Sequence, residues 1–310
     1  MNIILILIWT GRIVLLLSLF FILFVIGSMA VSGVLPDIES EPGLVPDNIG
    51  FFIFGILNTI LIIALILSSR WHGWKLVLTL AFAYYGAVTF LPQIETWYFM
   101  SNITVSSKLL PRLFIMGLPV AFVYVPLTVL ILRKRRMNSI IEHTAAVKMP
   151  VKQLLFKLLG IALLYIVLYW GAGYYIAWQN PDLRSFYGSP GAILPFWEHT
   201  TNTLRIDSGL MPFQALRGML WTLCAIPIIS GSKVNAWWTA ILVGLFFTIP
   251  QISGLILKNP LMPIASVRLS HMIEGIASNF VFGMIIVWLL HREHNSLKNL
   301  FGIKEIKKYS

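Results

Sequence analysis

The chain has 310 residues, of which 58% are apolar and 11% charged, with a net charge of +11 and a mean hydropathy of +0.83. Soluble domains carry about 25% charged residues, so a chain this poor in charge cannot cover a water-facing surface. Its apolar residues also come in long runs. That pattern predicts transmembrane helices and excludes a β-barrel, which needs short alternating segments. The basic excess is explained by cytoplasmic loops enriched in Lys and Arg, so no nucleic-acid partner is expected. The single Cys224 lies in an apolar run. It excludes an internal disulfide and reads as a small hydrophobe.

The fold expected is an all-α polytopic bundle of eight spans, near 13–33, 50–68, 76–96, 112–132, 158–178, 213–230, 236–256 and 269–290. Ser28-Met29-Ala30 resembles a small-residue cleavage site. The preceding apolar region is nevertheless too long for a signal peptide, and no basic residue stands between Met1 and Gly11. The first span is therefore expected to stay.

Placing both termini in the cytoplasm puts 16 of the 23 Lys and Arg residues on the inner side, including Arg133 to Arg136, Lys148 and Lys304. The positive-inside rule then accounts for the 133–153 loop. The acidic Asp37-Ile-Glu-Ser-Glu segment falls outside. Trp71, Trp74, Trp237 and Trp238 fall at the inner interface, and Trp97 and Trp178 at the outer one, as aromatic belts require. The sequon Asn102-Ile-Thr104 lies close to the membrane.

The chain reads as duplicated. Setting Phe54 to Arg70 over Arg217 to Lys233 without gaps brings Gly55 onto Gly218, Thr59 onto Thr222, Ser69 onto Ser232 and Arg70 onto Lys233. Further on, Pro92-Gln93-Ile94 matches Pro250-Gln251-Ile252, and Arg112-Leu113 matches Arg268-Leu269. Apolar matches between hydrophobic helices carry little weight. Polar and proline landmarks in the same order carry more. Two four-span repeats are expected, 1–150 and 151–310, in the same orientation and related by an axis along the membrane normal.

Polar residues inside spans are costly and mark candidate sites. Here they gather at the outer ends: Gln93 and Glu95 in the third span, Arg112 in the fourth, Gln214 and Arg217 in the sixth, Gln251 in the seventh. Arg268, His271, Glu274, Ser278 and Asn279 descend the eighth. The spacings of three, three and four from Arg268 to Ser278 form one stripe on one helix face. At 1.5 Å per residue, Glu274 lies roughly 8 Å and Asn279 roughly 15 Å below the helix start.

Under the repeat, Ile115 stands where the second half has His271, Leu118 where it has Glu274, and Glu95 where it has Ser253. The unshared Glu95, His271 and Glu274 are the catalytic candidates. The remaining eight, Gln93, Arg112, Gln214, Arg217, Gln251, Arg268, Ser278 and Asn279, are substrate-binding candidates. Singly, a Gln or Arg at a helix end also serves as glue between helices. The stripe could equally be an ion-pair network centred on Arg268. His271, Glu274 and Glu95 have compatible ligand chemistry for a metal. An HxxE spacing without a second His in a span does not specify one, so no metal or cofactor is expected. The outer 179–212 connection, with Phe196-Trp197-Glu198-His199, reads as a lid or as a linker resting on the headgroups.

The expected function is binding and transport of a small or lipid-like substrate through an outward-facing polar pocket. An intramembrane hydrolase or transferase acting from the outer face is the alternative. A non-catalytic assembly partner is the third. Membrane lipids are the expected partners, and the oligomeric state is open.

Overall fold

A computed structural model describes residues 3–101, 103–132, 149–291 and 294. Arg133 to Arg136, Lys148, Asn102 and the basic tail beyond His294 lie outside the described residues. The described chain is helical, without strands, and eight helices are long and apolar enough to cross a membrane. We number all helices in order. The spans are α1 (Ile3–Ser28), α2 (Asp47–Ser68), α3 (Gly73–Met100), α4 (Leu109–Ile131), α5 (Val151–Tyr175), α8 (Leu210–Gly231), α9 (Ala236–Leu255) and α10 (Ala265–Leu290). Two short helices, α6 (Pro181–Phe186) and α7 (Phe196–Ile206), lie in the connection between α5 and α8.

The largest departure from the expected boundaries is α1, which begins ten residues early. Ile3 to Trp9 is apolar, and Arg12 alone interrupts it. The Arg12 guanidinium lies over the Trp9 ring at 5.3 Å, so it continues the helix instead of starting it. Two spans carry a π-helical turn, Gly86–Phe90 in α3 and Val120–Tyr124 in α4. Each turn precedes a proline, Pro92 or Pro126. A proline removes one backbone hydrogen bond and crowds the preceding turn, and a wider turn absorbs both effects.

Glycines set the closest crossings. A Cβ on Gly283 of α10 would stand 2.8 Å from the Gly244 backbone of α9. A Cβ on Gly117 of α4 would stand 1.9 Å from Thr89 Oγ1 of α3. In lipid, where apolar surface alone does not drive helices together, such close approach supplies the packing.

Within the first four spans, α1 packs on α2 and α4, and α3 on α4. Within the last four, α5 packs on α8 and α10, and α9 on α10. Between the sets, α2 lies against α9 and α3 against α8. At one end the 69–72 and 232–235 turns meet in a single antiparallel bridge, Ser69 to Ser232. The 29–46, 101–108, 176–209 and 256–264 connections lie at the other end, here called the loop face.

Candidate functional site

A cavity of about 1670 Å³ opens at the loop face and is lined by residues from all eight spans. Its lining descends from the exposed Ser32, Arg205 and Lys258 to Asn58 and Tyr84, halfway along their helices. At that floor Asn58 of α2 donates to Ser253 Oγ of α9 at 3.0 Å, and Tyr84 donates to Asn58 Oδ1 at 3.1 Å. One wall is apolar: Phe20 and Phe24 of α1, with Leu113, Met116 and Val120 of α4. The facing wall is polar and comes from α3, α8, α9 and α10.

On the polar wall the carboxylate of Glu95 accepts from Arg217 Nη2. Arg217 is 2% exposed. Its Nη1 donates to Gln214 Oε1 at 2.8 Å, and its guanidinium lies 5.7 Å from the Tyr165 ring. The i, i+3 spacing of Gln214 and Arg217 allows that bond. Gln214 therefore stands behind the wall and holds the arginine. Gln93 lines the cavity from α3.

On α10, His271 Nδ1 and Glu274 Oε2 are 2.9 Å apart, and His271 Nε2 and the Tyr187 hydroxyl are 3.0 Å apart. Because a carboxylate only accepts, Nδ1 carries the proton toward Glu274. Nε2 faces the Tyr187 hydroxyl. Burial, and next the negative charge of Glu95 and Glu274, push the Tyr187 phenol up, so it stays protonated. The other oxygen of Glu274, Oε1, lies beside Gly173 of α5, where a Cβ would meet it at 3.5 Å. Below this chain Ser278 donates back to the Glu274 carbonyl at 2.8 Å. Asn279 Nδ2 reaches Gln251 Oε1 at 3.4 Å.

Of the eleven residues singled out from sequence, eight line the cavity: Gln93, Glu95, Arg217, Gln251, His271, Glu274, Ser278 and Asn279. Three do not. Gln214 is the fully buried support of Arg217. Arg112 is exposed and reaches only the Ala30 carbonyl, at 3.4 Å. Arg268 is 0% exposed and donates to the carbonyls of Glu41, Pro42, Met262 and Pro263. It starts the stripe by spacing, but its side chain turns back toward the connections and ties the 41–42 and 262–263 segments together. His271 and Glu274 pair with each other, and Arg268 takes no part in that pair.

Sequence reasoning missed Tyr187, Asn58 and Tyr84, because each joins the site through a contact distant in the chain. It also missed the contacts that hold the 176–209 connection. Tyr98 donates to Asp207 at 2.7 and 2.8 Å to its two oxygens. Trp170, Tyr174 and Trp178, spaced four apart on one face, surround the His199 ring at 5.3 to 5.6 Å. Burial pushes the His199 imidazole below its ordinary value. Among the described residues, no three His, Cys, Asp or Glu side chains converge as a metal site requires. Compared with family models, characterised proteins and solved structures, the chain matches none.

Proposed function

We propose that the protein is a carrier that binds an amphiphile of lipid size in the central cavity and moves it across the membrane. The observation that carries this reading is one cavity bounded by all eight spans, apolar on the α1 and α4 side and polar on the other. Pockets for ordinary small molecules span about 300–1,000 Å³, and about 1670 Å³ accommodates a headgroup together with part of its chains. The Glu95–Arg217 pair and the amides of Gln251 and Asn279 supply donors and acceptors for a polar head. Phe20, Phe24 and Met116 supply a surface for chains. We read the chain as two like-oriented repeats, 1–150 and 151–310, with cytoplasmic termini and the loop face outside. The matched contacts of α2 with α9 and of α3 with α8 support that reading.

Reconstitution with a fluorescent phospholipid analogue tests it. In proteoliposomes, analogue in the inner leaflet should become accessible to an impermeant quencher. Ser278→Trp, which sets an indole into the cavity beside Glu274 and Asn279, should slow that movement while leaving helical content unchanged. Movement that is absent in the wild type, or equal in both proteins, overturns the carrier reading.

A second reading is favoured by one observation, the His271 ring on the cavity wall held by Glu274 at Nδ1 and by the Tyr187 hydroxyl at Nε2. A histidine oriented by a carboxylate is the arrangement of a general base. Under this reading the protein cleaves or transfers a group on the bound amphiphile. Mass analysis of the phospholipid after incubation separates the two: a carrier returns it unchanged.

A further inference from the structure

We propose that the Ser69–Ser232 pairing is the closed gate of the cavity on the face opposite the loops, and that the two halves separate there to expose the cavity to that side. The inference rests on the carrier reading and assigns its second opening.

The two turns are related as a residue is to its own counterpart. The Arg70 N–H donates to the Gly231 carbonyl at 2.7 Å, and the Lys233 N–H donates to the Ser68 carbonyl at 2.9 Å. In the register that aligns the two halves, Arg70 is Lys233 and Ser68 is Gly231. Each bond is therefore the image of the other. The backbones agree as well, at φ −79°, ψ 139° for Ser69 and φ −68°, ψ 137° for Ser232. Both amides donate three residues back, to Ile66 and Ile229, at 3.3 Å each. Both hydroxyls accept from the amide two residues on, Trp71 at 3.0 Å and Val234 at 3.3 Å.

Unrelated loops that happen to touch would pair unrelated positions. A pairing of equivalents is what a two-fold axis between the strands generates. The same operation exchanges the contact of α2 with α9 for that of α8 with α3, so the axis relates whole spans.

The position of the pair is the second observation. The cavity floor is at Asn58, and Ser69 lies eleven residues farther along α2 and its turn, roughly 16 Å on. Between them Leu61, Ile62 and Ile66 of one half, with Ala225 and Ile229 of the other, are buried. The cavity is thus open at one face and sealed at the other by apolar packing capped with two backbone hydrogen bonds. That is one of the two states alternating access requires, with the repeat interface as the moving surface. Two halves that contribute equivalent elements to a seal on the axis can part by a rigid rotation, with the bridge as its outermost contact.

The test needs no substrate. In a Cys224→Ala background, Ser278→Cys places a thiol in the cavity with near-identical shape. Its labelling by an impermeant maleimide is read by mass spectrometry of the peptide containing position 278, in vesicles of each orientation. Labelling from both faces is expected. Adding Ser69→Cys and Ser232→Cys and oxidising them should abolish labelling from the bridge face and preserve it from the loop face. The disulfide is feasible because directly opposed antiparallel residues flanked by hydrogen bonds stand about 4.5 Å apart at Cα, within the bonding range. No labelling from the bridge face in the Ser278→Cys protein overturns the gate, as does labelling that survives oxidation. Phospholipid movement without bridge-face labelling would sink the gate and leave the carrier. Gated labelling without phospholipid movement would do the reverse.

Discussion

Ser69 and Ser232 pair with each other across one antiparallel bridge, and each makes the same local bonds as the other. Each hydroxyl braces its own turn; Ser69 also donates to the Gly231 carbonyl across the bridge, and Ser232 also bonds Thr239 at the start of α9. Ser69→Ala and Ser232→Ala should therefore destabilise similarly, by about 0.5–1.5 kcal/mol each, the usual net worth of such bonds. Thermal unfolding in detergent measures both. A loss confined to one of them would show that the two turns are not equivalent.

The sidedness follows from the connections. Ser208 lies in the loop-face connection and Lys233 in the bridge turn, both exposed. Single cysteines at these positions, with Cys224 replaced, should react with an impermeant reagent from opposite sides of the membrane. With the loop face outside, Ser208→Cys reacts in intact cells and Lys233→Cys only after lysis. Reaction of both in intact cells would refute the eight-span topology.

Arg268 and Glu274 share one helix face but have opposite surroundings, and their variants should fail differently. Arg268→Met removes the donor that joins the 41–42 and 262–263 segments, and a hydrogen bond from a charged donor contributes about 1.5–3 kcal/mol. The yield of folded protein should fall, and under the carrier reading transport per surviving molecule should be normal. Glu274→Gln keeps shape and removes the negative charge beside His271, leaving only a weaker amide acceptor. It should leave yield intact and lower transport; under the catalytic reading it should lower turnover by about 10² or more. Comparing yield and specific activity for the two variants checks both assignments.

This contrast shows what was legible in the sequence. The eight spans were, because runs of apolar residues long enough to span leave little choice of structure in lipid. The polar wall was legible in part. Helical spacing put His271, Glu274 and Ser278 on one face, and the cost of burying them in lipid turned that face inward. Spacing does not say where a long side chain ends, and Arg268 ends among loop carbonyls. It also carries no information on partners from elsewhere in the chain, so Tyr187, Asn58 and the Tyr98–Asp207 bond went unseen. The two π-turns were hidden too, because a proline in a span signals a defect without saying how the helix absorbs it.

Arg217 is buried while its partner Glu95 keeps a side-chain exposure of 34%. Glu95→Gln leaves the guanidinium without a countercharge. Removing one partner of a fully buried pair costs about 3–5 kcal/mol, and solvent screening at Glu95 reduces that to about 1–3 kcal/mol here. The double variant Glu95→Gln/Arg217→Met should recover most of the lost stability, because no unpaired charge remains. Thermal unfolding of the wild type, both single variants and the double completes the cycle. If the double variant is no more stable than Glu95→Gln alone, the pair does not act as a unit.

The docking of α7 should loosen in acid. His199 on α7 sits among Trp170, Tyr174 and Trp178, and burial lowers its affinity for a proton below the ordinary 6.5. When α7 lifts away, the imidazole returns to water and to that ordinary value. The lifted state therefore binds more protons, and docking weakens as pH falls. The docking that neutral His199 provides is complete above pH 6.5, and it declines as pH falls from there through the lower docked value. α7 has no buried residue of its own, and beside His199 it is held by the Trp170–Thr200 hydrogen bond and the Phe196–Tyr175 stack. Hydrogen exchange over 196–206 measures the docking directly. Its protection factor should fall between pH 7.5 and 5.5, while that of α9 stays constant. His199→Phe keeps the ring packing and removes the titration, so its protection should not change with pH. A wild-type protection factor that stays flat across this range, or a His199→Phe protein that loosens as the wild type does, would show that another group sets the response of α7.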